Sequence, residues 1–294
     1  MSAPTADIVA LVKAALAEDI GPGDLTSLAC LEPNPVKAQI VAKSDGVLSG
    51  LVPLALTYEI VDSANAVTPM INDGDVYSRG DVVVEIDGFN QTVLASERVG
   101  LNFLGRLSGI ASLTRQFVDR IGERNCRMLD TRKTTPGWRR LEKDAVRHGG
   151  GANHRMGLYD MVLIKDNHIA SAGSITNAVA LTREFLDTPD FRLQFDCKAE
   201  DIEIEVEVTT ESELLEAIAA GVERLLLDNQ SLESLGRLVK VARDTNPDIL
   251  LEASGNVTLE TVSDIAATGV DFISAGALTH SAKAADFSMK VVPD

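Results

Sequence analysis

Only three cysteines, Cys30, Cys126 and Cys197, occur in this 294-residue chain, and no two form a CxxC pair. An odd, scattered set argues against a disulfide framework or a structural zinc site. It fits a reducing compartment, so a cytoplasmic location is expected. Aromatic residues make up 4% of the chain, little material for stacking nucleic-acid bases. Lys and Arg number 27 against 44 Asp and Glu, a net charge of -17. That balance leaves no broad cationic surface of the kind that general nucleic-acid binding needs. No apolar run reaches the roughly 18 residues that suggest a membrane span. The start, MSAPTADIVALVKAALAEDI, has no basic segment followed by an apolar run and is not read as a signal peptide. No GxGxxG follows the first barrel-type strand. The glycine run Gly149–Gly150–Gly151 lacks the Lys-Ser/Thr of a P-loop.

What is present is ordinary globular material, 45% hydrophobic and 24% charged, enough for one large domain or two smaller ones. Residues 7–19 place Ile8, Leu11, Val12, Ala15 and Leu16 at helical spacing, and GPGD at 21–24 ends that helix in a turn. Residues 36–50 and 82–88 read as strands. NDGDVYSRGDVVVEIDG resembles a lipoyl- or biotinyl-carrier hairpin. It has no lysine at its tip to modify, so it is taken as a structural element. Residues 91–122 form one long helical stretch leading into a second domain. From there short apolar runs recur between helical segments: CRMLD, DMVLIK, IEIEVEV, RLLLD, ILLEAS and DFISAG. That rhythm implies parallel βαβ units. Polar residues end nearly every run, which suits a TIM-like α/β barrel better than a doubly wound sheet. The fold class expected is therefore α/β: an N-terminal α+β, open-sandwich-like domain over 1–110 and an α/β barrel over 111–279. The tail 280–294 is free to pack back on the first domain.

The charge is not evenly spread. Asp130–His168 holds eight of the Lys and Arg residues, three of the four histidines and only five acids. Such a reversal inside an acidic chain marks an anion site. Arg132 and Lys133 follow one strand, His154 and Arg155 follow the glycine run, and Lys165 ends the next strand. Arginine's planar fork matches carboxylate and phosphate oxygens, and lysine serves as a point charge. Singly, such cations are usually solvated surface charges. That reading is kept for Arg139, Arg140 and Lys143, on a helix with Glu142 and Asp144, and set aside for the strand-end cations. His168 is balanced between supporting a neighbour and touching ligand, and His280 reads as structural. Glu203, Glu205 and Glu207 share one face by the period of two, and Glu207 lies nearest the strand's carboxyl end. Glu205 is expected deeper, paired with a barrel lysine. Asp228 ends the next strand, although an Asp-Asn pair also suits a helix cap. Ser254-Gly255-Asn256 and Ser274-Ala275-Gly276 follow the last two strands, where barrels place phosphates on backbone N–H groups.

LDTRKTTPGWRRLEKDAVRHGGGANHRMGLYDMVLIKDNHI closely resembles the signature of the quinolinate phosphoribosyltransferase family. SERVGLNFLGRLSGIAS, IEVEV, LLLDN, EASGNV and ISAGALTHSA continue the match in order, from about Glu18 to about Lys290. The resemblance implies transfer of a phosphoribosyl group from phosphoribosyl pyrophosphate to quinolinate with loss of carbon dioxide, giving nicotinate mononucleotide in a magnesium-dependent step of NAD synthesis. It implies that Arg98, Arg132, His154, Arg155 and Lys165 meet the carboxylates or phosphates. Lys133 would help bind pyrophosphate, and Lys165, Glu207 and Asp228 would be the catalytic groups. Glu207 and Asp228 are the expected magnesium carboxylates. It further implies a homodimer in which Arg98 reaches the neighbouring site. Membrane and nucleic-acid partners are not expected. Alternatives are a same-fold paralogue with another anionic ring substrate, a nicotinate phosphoribosyltransferase, and a non-catalytic phosphate-binding barrel. Residues 183–201 depart from the family pattern and read as an added surface loop.

Overall fold

The computed structural model describes residues 4–195 and 197–292. Its strands are β1 Pro35–Ala42, β2 Gly46–Val47, β3 Ala66–Pro69, β4 Val76–Tyr77, β5 Val82–Phe89, β6 Arg127–Leu129, β7 Val162–Ile164, β8 Ile204–Val208, β9 Arg224–Asp228, β10 Leu250–Ser254, β11 Phe272–Ser274 and β12 Phe287–Val292. The chain divides into two compact units. One combines residues 1–115, 134–151 and 278–294; the other combines 116–133 and 152–277.

The first unit holds an antiparallel sheet ordered β12–β1–β5–β3 and a small β2–β4 pair. The strand stretch 36–50 holds two strands. β1 stops at Ala42, residues 43–45 turn, and Gly46–Val47 joins the other sheet. Alternation explains the core: Ala38, Ile40 and Ala42 of β1 and Val84 and Ile86 of β5 are buried with Leu48, Leu54, Tyr58 and Leu104. The amphipathic start is a helix over Ala6–Ile20 that buries Ile8, Val12 and Leu16. The long helix is Asn90–Ile121.

Helix Arg139–His148 corrects one expectation. Arg140 is exposed and pairs with Asp7, and Arg139 donates to the Thr134 hydroxyl at 3.0 Å. Lys143, however, is fully buried. So is Glu142, which takes the Arg106 guanidinium at 2.8 Å and the Thr135 hydroxyl at 2.9 Å. The helix turns two charged residues inward because polar partners wait there. The glycines after it are close-packed joints: a Cβ on Gly149 would lie 2.4 Å from the Ala111 carbonyl oxygen.

The chain's last segment crosses the long helix at two glycines. Ala285 N–H donates to the Gly105 carbonyl at 2.8 Å, and a Cβ on Gly109 would sit 2.0 Å from the Lys283 carbonyl oxygen. Alanine is ordinarily the better helix former by about 1 kcal/mol. Here backbone overlap wins, and Gly109→Ala is expected to destabilise by about 2–3 kcal/mol, as overpacking does. A denaturation midpoint equal to wild type would mean that the tail steps aside freely.

The second unit is a parallel sheet ordered β6–β11–β10–β9–β8–β7, the cyclic neighbour order of an α/β barrel, and Ala152 bridges to Leu129 of β6. All six apolar runs are strands. The segment 183–201 is not a plain loop. Ile175–Leu186 is a helix, Pro189–Gln194 is another with Thr188 as its cap, and Ala199–Asp201 is a 3-10 turn. Phe191 stacks on Phe195 with centroids 5.2 Å apart.

Candidate active site

Register and the period of two assign the barrel strands' side chains to faces. On one face Ile204, Val206, Val208, Leu225, Leu227, Leu251, Ala253 and Ile273 are buried apolar. The other face carries the charges. Glu205 is the register partner of Arg224, and Glu252 aligns with Phe272 and Leu226. One step toward the carboxyl ends, Asp228, Ser254 and Ser274 lie side by side on three adjacent strands. Parallel pairing in this register brings those three strand ends level.

The cations follow the same logic. Lys165, just past β7, reaches the Glu207 carboxylate one strand away. Arg155 is half-buried; its Nη1 donates to the Met161 carbonyl at 3.2 Å. Burial, and then the neighbouring Arg132 guanidinium, lower its pKa. Two adjacent guanidiniums that repel each other form a ready site for an anion. Lys133 is exposed, in a turn in which its N–H donates to the Thr131 hydroxyl at 3.0 Å. Arg98 is exposed on the long helix of the other unit. His168 is exposed, and its Nδ1 accepts the Lys165 N–H at 2.9 Å. It thus fixes the start of helix Asp166–Ala172 directly behind Lys165.

His154 turns inward. Its side chain is 6% exposed, and Nε2 lies 3.1 Å from Glu205 and 3.6 Å from Glu252. Glu205 is not paired with a lysine, as expected above, but with Arg224 at 3.1 Å. The same guanidinium also grips Glu252 and lies over the Phe272 ring, 4.2 Å from its centroid. The reason is position: Arg224 opens β9 directly opposite Glu205, deeper than any lysine on the rim. Burial pushes Glu205 up to about 7 although Arg224 opposes this, and Glu252 is raised by burial and by Glu205. The ligand atoms of His154, Glu205 and Glu252 lie within 4.8 Å of one another. Arg224 already supplies the positive charge among them, so the group reads as an ion-pair network rather than a metal centre. Arg224 and Glu252 were not singled out from sequence. Their signal was one charge inside each of the apolar runs RLLLD and ILLEAS.

Asp228 does not cap the following helix, Leu232–Thr245, whose cap is Ser231. It takes the Asn229 amide at 2.6 Å and stays at the rim. Asn229 and Asn256 both have φ of 51°, and Gly255 has φ of 96°. A Cβ on Gly255 would fall 2.1 Å from the Asn229 Oδ1, so only glycine lets these two loops meet. Ser274 reaches the Glu252 carboxylate, and Ala275 N–H donates to the Leu129 carbonyl at 3.1 Å. Gly276 immediately precedes the short helix Ala277–His280.

Residues 24–108 match the N-terminal domain of the quinolinate phosphoribosyl transferase family, and residues 110–290 match its C-terminal domain. A probable nicotinate-nucleotide pyrophosphorylase (carboxylating) of Bacillus subtilis is 43% identical, spanning 93% of this chain and 90% of the relative. The chloroplastic carboxylating enzyme of Arabidopsis thaliana is also 43% identical, across 99% of this chain and 84% of its own. The solved nicotinate-nucleotide pyrophosphorylase of Francisella tularensis superposes with a TM-score of 0.91 at 38% identity, covering 99% and 98% of the two chains. Two domain matches in order, and relatives this similar over nearly their full length, place the chain in the quinolinate phosphoribosyl transferase family.

Proposed function

We infer that this protein joins quinolinate to phosphoribosyl pyrophosphate with decarboxylation, giving nicotinate mononucleotide, pyrophosphate and carbon dioxide. The observation that carries the reading within the family is the cation set at the barrel's carboxyl edge. Arg132 and Arg155 stand together, and Lys165 is one strand from Glu207 and two from Asp228. A dicarboxylate and a phosphorylated, pyrophosphate-bearing sugar both need such a set.

In this reading Arg132, Arg155 and Lys165 hold quinolinate so that its ring nitrogen faces the ribose C1'. Lys133 and the 254–256 and 274–276 loops take the phosphates, and Asp228 accepts from the ribose hydroxyls. Attack by nitrogen expels pyrophosphate, and Glu207 stabilises the positive charge that builds at the sugar carbon. The pyridinium so formed stabilises the electron pair that the breaking C–CO₂ bond leaves on the ring carbon, and that carbon then takes a proton from solvent, so the protein's work is orientation and charge complementarity. Asp228 and Glu207 fit a magnesium requirement. They are carboxylates on adjacent strands at an open rim, and Asp228 is the better suited because Lys165 already engages Glu207. Magnesium would supply charge neutralisation for the departing pyrophosphate. Arg98, exposed on its helix, is assigned to the site of a neighbouring protomer. Among the described residues no helix is long and apolar enough to cross a membrane.

The test is a spectrophotometric assay with quinolinate, phosphoribosyl pyrophosphate and magnesium, run against nicotinate as control. Turnover is expected with quinolinate alone. Turnover of nicotinate without quinolinate activity would overturn the reading.

A further inference from the structure

Three buried charges on the barrel's polar face have no role in the chemistry just described. Glu205, Arg224 and Glu252 come from three adjacent strands and are almost wholly enclosed. Burying one cation with two carboxylates is expensive, and an apolar trio of similar volume is often as stable. Their geometry suggests what they are for. Arg224 bridges the two glutamates, and Ser274 adds a hydrogen bond to Glu252. The carboxylates then present oxygens to one outside group, the His154 imidazole, at 3.1 and 3.6 Å.

The other side of that ring fixes its protonation. His154 Nδ1 accepts the backbone N–H of Arg155 at 2.7 Å, so Nδ1 carries no proton. Nε2 therefore bears it and donates to Glu205. The His154 backbone N–H donates to the Asp130 carboxylate at 2.9 Å. His154 and the Arg155 main chain are thus tied at Asp130, at Glu205 and across the imidazole. This is the arrangement by which a carboxylate fixes a histidine's tautomer and ring angle from behind.

We propose that Glu205, Arg224 and Glu252 form a positioning device: they hold His154 as the neutral Nε2–H tautomer, and His154 in turn sets the main chain, and so the guanidinium, of Arg155 toward the quinolinate carboxylate. The proposal rests on the functional reading above for the identity of the anion, but not for the tautomer. His154 acts through its Nδ1 lone pair on the backbone, and Arg155 makes the substrate contact. A carboxylate cluster at a barrel floor thereby tunes an arginine at its rim.

Two measurements test it. Nitrogen-15 NMR of histidine-labelled wild-type protein, with the signal assigned through His154→Asn, is expected to show His154 neutral, protonated at Nε2 and with Nδ1 as acceptor. A proton at Nδ1 would overturn the proposal whatever the enzyme's substrate proves to be. Steady-state kinetics of Glu205→Gln and Glu252→Gln supply the second readout. Each is expected to raise KM for quinolinate by about 10–100-fold, the usual size of such indirect effects, with KM for phosphoribosyl pyrophosphate unchanged. A general loss of fold would move both constants or abolish binding. Equal changes in the two KM values, or none, would sink the positioning role. If neither variant folds, the wild-type NMR result still decides. If quinolinate is not turned over at all, the functional reading fails while the tautomer result stands on its own.

Discussion

Arg132→Ala and Lys165→Ala are each expected to cut kcat/KM for quinolinate phosphoribosylation by about a thousandfold, with folding intact. Both side chains stand at the carboxyl edge, where charge changes during the reaction, and a single well-placed donor is worth about 10²–10³ in rate. Arg132 and Lys165 are both only partly buried, so removing either leaves no large cavity. For Lys165 a second effect adds to the first: Glu207 loses its partner and presents an unbalanced carboxylate to anionic substrates. Circular dichroism and a thermal midpoint check the fold while the assay checks turnover. Near-normal kinetics in either variant would take that residue out of the site.

Arg224→Met has the largest expected effect on stability, a loss of about 3–5 kcal/mol, because it strands Glu205 and Glu252 in the barrel interior. The loss depends on pH in a definite direction. Glu205 has its folded pKa raised to about 7 from an ordinary 4.5. The stability linked to its proton is fully present below 4.5 and drains away as pH rises through about 7. Arg224 limits that drain by favouring the ionised form. Without it the glutamates hold their protons to higher pH, so the gap between wild type and variant widens as pH rises. Denaturant titrations at about pH 5 and about pH 8 should show the smaller gap at the lower pH. A gap independent of pH would mean that Arg224 matters through packing on Phe272 rather than through charge.

The barrel was legible because its strands are short, buried, largely apolar runs that end in polar residues, so each run announced both its length and its carboxyl end. The long helix and the amphipathic start were legible by period. What escaped depended on partners far off in sequence. Lys143 and Glu142 look like a solvated helix face until Arg106 is seen beside Glu142. Glu205 was assigned a lysine because the rim holds one, whereas register places Arg224 opposite. The helix at Pro189–Gln194 did carry a local signal, a threonine cap followed by proline at the first helical position, hidden within a stretch read as irregular. A lone histidine is more often a structural hydrogen-bonding residue than a catalyst, and His154 does turn inward. Its neighbours suggested a ligand contact, and only the pairing of Ala152 with Leu129 points the following residues toward the barrel floor.

The sheet of the first unit has a bearing on how the chain emerges during synthesis. β1 pairs on one side with β5, which is close in sequence, and on the other with β12, with Lys37 opposite Val292. At ribosomal rates of about 5–20 residues per second, the roughly 250 intervening residues take some ten to fifty seconds to appear. For that interval the β1 edge, with Ile40 and Val41 along it, is an unpaired template for any other extended chain. Closing the sheet is therefore a late, high-contact-order event. Crowding on polysomes, rather than the equilibrium stability of the finished protein, is where this architecture is most exposed to aggregation.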